Sequence, residues 1–547
     1  MKDFKKRGLG LVLAAAAVLS TFSACGAKKA DDEGGDDIEA STVISGEILT
    51  AGKAADNVFS LCADTTASMN PITTTNTLNQ TVDCLVYDRL FEVDNNFEVS
   101  SRILSDWYYV DNGESGVWVL TLKQGIPMHD GSTLTAEDVI YSVSRVFSQA
   151  ATHYQKQLGT CYSSGSGDTV YISGNFKNAL HIYDLALPII KANSILENAP
   201  AGSGPYKFSE DLSCLEKFDQ YEGAENLPLD KIYLHQYTDS EYLITDYESA
   251  LVDLTVNDPS SIYNMGYGGK NEKRVINTTN LQYIGFNSAS EFFSYDQYRT
   301  AITYLVNRQA IVDDVLDGAA DATALPIHPA SSFFDQAYND SLSYDTAKAL
   351  EELEKLGLRD MDEDGMLEYA FSGAKKEIDI RFIVCADNAS KVQAAKRIAE
   401  DMEAIGLGVN VMELSWADYK AALNDRELKD GGTFDMYYAE TALSPDWNTL
   451  ALFESLEDED NVTNLNFGRW TRENAEDAVY GFLGAVDEDR PAAIQTMLQA
   501  LSTNAMFVPV CFEKKEVLSH LGIIKGMNPN QYNIFMDITN WTIDLDD

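Results

Sequence analysis

The chain has 547 residues, with 86 Asp and Glu against 40 Lys and Arg and a formal net charge of −46. Hydrophobic residues make up 45% and aromatics 10%, which excludes a disordered acidic polymer. At ~100–200 residues per domain, the length suggests three or four lobes. The charge excludes nucleic acid and an anionic membrane surface as partners, because both would be repelled. Beyond that it describes a solvated acidic surface and names no ligand.

The chain opens with a basic stretch, Lys2, Lys5, Lys6 and Arg7, followed by an apolar run from Gly8 to Leu19. That run has signal-peptide length and is too short for a transmembrane helix. It ends at Phe22-Ser23-Ala24-Cys25-Gly26, which resembles the bacterial lipoprotein box. The resemblance implies a leader over 1–24, lipidation of Cys25 and an anchor on the outer face of the cell membrane. Residues 25–45, rich in Asp, Glu and Gly, read as a disordered acidic tether. Six further cysteines, Cys62, Cys84, Cys161, Cys214, Cys385 and Cys511, are scattered singly without a CxxC pair. A zinc knuckle and a redox pair are therefore not indicated, while a disulfide and buried free thiols both stay open.

Trp107–Val110 and Trp118–Leu122 flank Asp111-Asn112-Gly113 and predict a hairpin. Thr135 and Asp138 stand at capping distance before a helix with Val139, Val143, Val146 and Phe147 on its apolar face. Ile378, Ile380, Phe382 and Val384 alternate as a strand. A helix opened by Asp387-Asn388 follows, with Val392, Ala395, Ile398, Ala399, Met402 and Ile405 on one side. Gly406 ends it, and Val409, Val411 and Met412 begin a second strand. Such a unit requires a parallel pair with a right-handed crossover. Phe434–Tyr438 reads as another strand. Ligands of open α/β sheets sit outside the carboxyl ends of the strands, so the loops after Val411 and Tyr438 are candidate sites.

Tyr87-Asp88-Arg89-Leu90-Phe91-Glu92, Lys123-Gln124-Gly125-Ile126, His129-Asp130-Gly131 and Leu134-Thr135-Ala136-Glu137-Asp138-Val139 follow in order. So do Gly202-Ser203-Gly204-Pro205-Tyr206, Tyr283–Asn287, Arg299–Ile302, Val306-Asn307-Arg308, Tyr344–Leu350 and Asp537–Ile543. Together they resemble the signature of the family 5, peptide-type solute-binding proteins of bacterial ABC importers. The resemblance covers about 57–543. It implies an α/β, two-lobed periplasmic-binding-protein-like fold (cluster C) with an additional inserted domain and a ligand cleft between the lobes. The first lobe would combine 46–85, 200–283 and 515–547, the inserted domain 86–199, and the second lobe 284–514. The function implied is capture of a peptide or similar small solute by lobe closure and delivery to an ABC permease, by a monomeric protein that is not an enzyme. The alternative is a surface lipoprotein on the same fold serving as a sensor or adhesin.

In that family a tryptophan of the kind at Trp416, in Leu414-Ser415-Trp416-Ala417-Asp418-Tyr419, lines the cleft. After Tyr438, peptide-binding relatives carry an aspartate that meets the peptide's amino terminus, whereas this chain has Ala439-Glu440-Thr441-Ala442-Leu443-Ser444-Pro445-Asp446-Trp447-Asn448. Glu440 or Asp446 could supply a carboxylate for an amine, with Tyr438 and Trp447 beside them. In the first lobe Ser68 and Asn70 lie in a segment resembling one that borders the family's cleft. Separately, Asp360, Asp362, Asp364 and Glu368, with Gly365, imitate a calcium loop whose last ligand position is Phe371. The competing reading is an acidic turn, and no other cofactor is expected. No HExxH, GxSxG or GxxxxGK[ST] occurs, which excludes the corresponding hydrolase and nucleotide sites.

Overall fold

The computed structural model describes residues 57–111, 116–148, 162–174, 178–261, 266–268, 271–371, 374–425, 432–454 and 465–545. The leader, Cys25, the tether, Cys161, the Asn112-Gly113 turn and the acidic run Asp458–Asp460 lie outside them. Among the described residues no helix is long and apolar enough to cross a membrane, and Cys62, Cys84, Cys214, Cys385 and Cys511 are free thiols.

An eleven-stranded sheet organises the molecule. Its order is Gly408–Leu414, Asp379–Cys385, Met436–Ala442, Asn271–Phe286, Phe507–His520, Leu254–Asn257, Ser60–Ala63, Lys231–Gln236, Cys214–Lys217 and Tyr206–Phe208, with Ala320–Ala322 pairing on Phe507–His520 outside this path. Asn271–Phe286 and Phe507–His520, of 16 and 14 residues, are antiparallel and central. At ~3.3 Å per residue the longer one spans roughly 50 Å. Their pairing shifts between Asn277 and Leu281, a bulge that bends the strand. The skipped residues are held elsewhere: Thr278 donates to Glu513 O (2.5 Å) and Thr279 N to Gln531 Oε1 (3.0 Å). On one side of this break Ile276 and Val517 belong to one hydrophobic core; on the other, Leu281, Tyr283, Val510 and Phe512 belong to a second. The chain is therefore two lobes strung on one strand pair.

In the second lobe, Asp379–Cys385 and Gly408–Leu414 are parallel and in register from Asp379↔Gly408 to Cys385↔Leu414, as the apolar alternation predicts. The crossover helix Ala389–Glu403 buries Val392, Ala395, Ile398, Ala399 and Met402. It starts where Asn388 accepts from Lys391 N (3.0 Å), an N-cap bond for an otherwise unpaired donor. It stops before Gly406, which has a φ of +93° and where an added Cβ would fall 2.5 Å from Gly365 O, so that no side chain fits without a shift. Met436–Ala442 adds to the same sheet, parallel to Asp379–Cys385.

The first lobe mirrors this, with Ser60–Ala63 parallel to both Lys231–Gln236 and Leu254–Asn257. The predicted hairpin pairs Leu104–Asp111 with Gly116–Leu122 in a four-stranded sheet that also holds Thr169–Gly174 and Tyr162–Ser166. Its inner residues Trp118, Leu120, Val170 and Ile172, and Val139 and Val143 of the helix Ala136–Ser148, share the first core with Phe59 and Leu61. Family-signature residues serve this packing. Asp88 pairs with Arg102 and accepts from Ser203 Oγ (2.5 Å), and a Cβ on Gly204 would meet the Leu85–Val86 backbone at 2.6–2.7 Å. Between Glu92–Val93 and Val99–Ser100 a short hairpin leaves this core and places Val93 and Phe97 in the second.

Candidate functional site

Both sets of parallel strands aim their carboxyl ends at the break in the long pair. Met436–Ala442 ends with Ala442 opposite Asn280, and Leu254–Asn257 ends with Asn257 opposite Glu516. The loops beyond them meet: Asn388 Nδ2 donates to Ser260 O at 3.0 Å. This is the arrangement in which α/β sheets bind ligands, from two sides at once.

Trp416 opens the helix Trp416–Asn424, two residues past the end of the strand Gly408–Leu414, with Ser415 as N-cap. It is 44% exposed and its ring lies over Tyr419, 28° from parallel at 6.2 Å. Tyr419 is buried and donates to Tyr438 O (2.6 Å). Trp416 is thus an exposed aromatic plate on a fixed base, large in contact area and tolerant of ligand shape.

Glu440 stands on the same edge, with its side chain 44% exposed and ion-paired to Lys391, which is 12% exposed. Opposite it in the sheet is Gln282, whose amide reaches Glu513, a residue 2% exposed at the middle of the long strand. Burial opposes ionisation of Glu440, but the Lys391 ammonium and the neighbouring groups outweigh it, so its pKa lies below the usual value. Burial and the Glu440 charge push Glu513 the other way, to about 8. Gln282 Nε2 donates to Glu513 Oε1 (2.7 Å), and Tyr438 O–H donates to Gln282 Oε1 (2.5 Å).

Several expected contacts lie behind the edge instead of on it. Tyr438 is 1% exposed and its hydroxyl serves Gln282, which leaves no face for a ligand. Trp447 is fully buried, donates to Ser331 Oγ (3.0 Å), and meets Phe97 at 5.0 Å and Phe512 at 5.6 Å edge-on. With its φ at +56° and its ring enclosed by these partners, it is a core residue and not a solute platform. Asp446, also buried, accepts from Asn448 N (3.0 Å), and burial raises its pKa to about 6. Asn70 is fully buried, donating to Ile195 O and Glu197 O and accepting from Ile72 N, all at 3.1 Å. These bonds tie its loop down and leave it nothing for a ligand. Ser68 is half-buried, accepts from Asn70 N and lies 3.0 Å from Thr73 Oγ1.

What the first lobe does offer is a cluster in which Thr65, the first residue of the Thr65–Pro71 segment that resembles the family's cleft border, is joined by Asp64 and Gln236, which the sequence did not single out. Thr65 donates through N (3.1 Å) and Oγ1 (2.5 Å) to Gln236 Oε1, and Gln236 Nε2 donates to Asp64 Oδ1 (3.1 Å). Hydrogen bonds from Thr66, with Gln236 adding to them against burial, hold the Asp64 carboxyl below its usual range. Asp64 directly follows Ser60–Ala63, a position that the carboxyl-end rule marks once that strand is recognised.

The acidic loop brings Asp360, Asp362 and Glu368 together, their oxygens within 4.8 Å. Asp364 accepts from Met366 N (2.9 Å) and is not in that group. Lys375 pairs with both Asp362 and Glu368, so an ammonium already answers this charge, and Asp360 accepts from the backbone of Glu363, Asp364 and Gly365. The acidic-turn reading describes this geometry.

Residues 98–462 match the family model described as "Bacterial extracellular solute-binding proteins, family 5 Middle". The chain is 24% identical over 445 residues to the oligopeptide-binding protein AppA of Bacillus subtilis, covering 76% of this chain and 78% of that one. It is 22% identical over 473 residues to heme-binding protein A of Haemophilus influenzae, covering 78% and 81%. The solved structure of HbpA2 from Haemophilus parasuis superposes with a TM-score of 0.68 at 18% identity, covering 89% of this chain and 99% of that one. Matching more than half its length, the chain belongs to the bacterial extracellular solute-binding proteins of family 5, which are binding proteins and not enzymes.

Proposed function

We propose that this protein is a lipid-anchored receptor outside the cytoplasm that captures a peptide or similar small solute between its lobes and delivers it to an ABC permease. The observation that carries this reading is the pair of opposed carboxyl edges: Trp416 and Glu440 on one side, Asp64, Thr65 and Gln236 on the other, with the bulged strand pair between them. The aromatic plate suits varied side chains, and acceptors on both edges favour a ligand that brings N–H or ammonium donors. Heme-binding and oligopeptide-binding relatives on one fold mean that the ligand class must come from this edge. Closure by bending at the break would give the permease a shape that differs between loaded and empty receptor. Native mass spectrometry of the purified protein tests the reading. A copurified small solute whose loss lowers the thermal midpoint supports it, and a protein that neither carries nor responds to any member of a peptide and amine panel sinks it. For the anchor, Cys25→Ser should release the protein into the medium.

A further inference from the structure

We propose that the outer face of the four-stranded sheet in the first lobe is a docking platform for a neutral polysaccharide chain, separate from the solute edge and independent of it. Strand alternation sorts the two faces of this sheet. The inner face carries Trp118, Leu120, Val170 and Ile172 into the first core. On the edge strand Tyr162–Ser166 the inward positions are Ser163, whose Oγ donates to Ile140 O (3.2 Å), and Gly165, where an added Cβ would fall 2.9 Å from Ile140 Cδ1. The intervening residues face outward. There the register aligns Tyr108, Val119 and Tyr171 in one row, and Val110, Val117, Ser173 and Tyr162 in the next. Tyr162 is 69% and Tyr108 53% exposed, and Val110 and Tyr171 are exposed as well. The hydroxyls of the three tyrosines have no hydrogen-bond partner among the described residues.

Charge singles this face out. Charged residues supply 23% of the chain and concentrate where side chains meet solvent. Yet the other outward positions of the sheet are Ser and Thr, with Asp106 alone at one corner. Four strands ~4.8 Å apart and about six residues long give a face of roughly 400 Å². A patch of that size marks a binding site, but it is about half of the ~800 Å² per partner that a stable protein pair buries. A second copy would also bring its own net charge of −46, which repels. A narrow, uncharged polymer meets both limits. A pyranose ring carries C–H groups on its faces and hydroxyls around its rim. Tyrosine offers a rigid apolar ring with a polar tip, and the valines continue that apolar strip. Beside it, the Ser and Thr hydroxyls of Thr169–Gly174 and Tyr162–Ser166 can donate and accept. Tyr108 and Tyr171 stand two strands apart, ~10 Å, and Tyr171 and Tyr162 are diagonal neighbours at ~7–8 Å. Three rings therefore meet successive parts of one extended chain.

The test is cosedimentation of the full chain with insoluble cellulose, chitin and starch. Wild type should be retained by at least one of them. Tyr162→Ser combined with Tyr171→Ser should lose about tenfold in retention, with the melting midpoint and the solute response unchanged. Tyr295→Ser, at an exposed tyrosine of the second lobe, should be retained like wild type. Absence of retention on all three probes would overturn the proposal, and so would equal retention by the double variant or an equal loss in Tyr295→Ser. If the double variant fails to fold, Ser164→Glu decides, because it sets a charge into the exposed face; undiminished retention then overturns the proposal. A dimer in sedimentation velocity, or capture by phosphatidylcholine vesicles, without polysaccharide binding would assign the face to a second copy or to a bilayer and overturn the glycan.

Discussion

Phe97→Ala should separate the stability of each lobe from the stability of their contact. Phe97 sits at the tip of the hairpin that leaves the first core, held at φ +64° with its carbonyl accepting Tyr183 O–H (2.9 Å). The chain before and after it, Leu90, Phe91, Ile103 and Leu104, is packed in the first core, while its ring lies 5.0 Å from both Trp447 and His328 in the second and is 2% exposed. Burying a phenylalanine is worth ~1.5–3 kcal/mol, and an edge-on aromatic pair adds ~0.5–1.5 kcal/mol. About 2–4.5 kcal/mol therefore favours the arrangement in which the hairpin reaches across. At ~1.4 kcal/mol per decade, losing it shifts the balance between joined and separated lobes by roughly 30- to 1,600-fold. Small-angle scattering of the unliganded variant should show a larger radius of gyration, and tryptophan emission should move to the red as Trp447 meets water. Apparent solute affinity falls in proportion to the joined fraction lost. An unchanged scattering profile with only a lower melting midpoint would refute the reasoning, because the ring would then serve one core and not the contact.

Trp416→Phe should remove the fluorescence response to bound solute while leaving the fold intact; a response that persists means the plate is elsewhere. Glu440→Gln should weaken a donor-bearing solute by ~1.5–3 kcal/mol in calorimetry, the scale of a hydrogen bond to a charged group, and equal affinity would make Glu440 a bystander. Trp447→Phe should remove the indole donor to Ser331 Oγ, which keeps only the Phe333 N–H, and cost ~1 kcal/mol in denaturant unfolding, with no change in solute response; a changed response would return Trp447 to the binding edge. Asp446, raised from its ordinary 3.8 to about 6, keeps in the native state a proton that the unfolded chain releases. Its contribution is full below the ordinary value and is lost as pH rises through about 6. Asp446→Asn should remove that slope from the pH dependence of the melting midpoint, and an identical slope would refute the assignment.

The strand–helix–strand unit was legible because everything defining it is local: period-two alternation, a period-3.6 apolar face, Asn388 at one end and Gly406 at the other. The helix register was legible at Thr135 for the same reason, since Asp138 bonds back to Thr135 N and Oγ1 (2.9 and 2.8 Å). Burial decided by distant partners was not legible. Trp416 and Trp447 look alike in sequence, but one starts an exposed helix turn and the other is closed over by Phe97 and Phe512 from far along the chain. Asp64 and Gln236 interact across 172 positions, and no local pattern announces a cross-strand neighbour. Glu513 reads as one charge in Glu513-Lys514-Lys515-Glu516, and only the fold shows that it alone of the four is buried, accepting from Gln282 Nε2 of the neighbouring strand.

The central strand Phe507–His520 also has a consequence in time. It contributes Val508, Val510 and Phe512 to one core and Val517 to the other, yet it stands near the end of the chain. A chain emerging from its amino terminus cannot finish either core until that strand arrives, because Asn271–Phe286 and Leu254–Asn257 wait for it as their shared partner. Pairings of such long sequence separation form slowly. For a family that works outside the cytoplasm, the late arrival of this strand keeps both cores incomplete during passage and lets the lobes lock together once His520 is through.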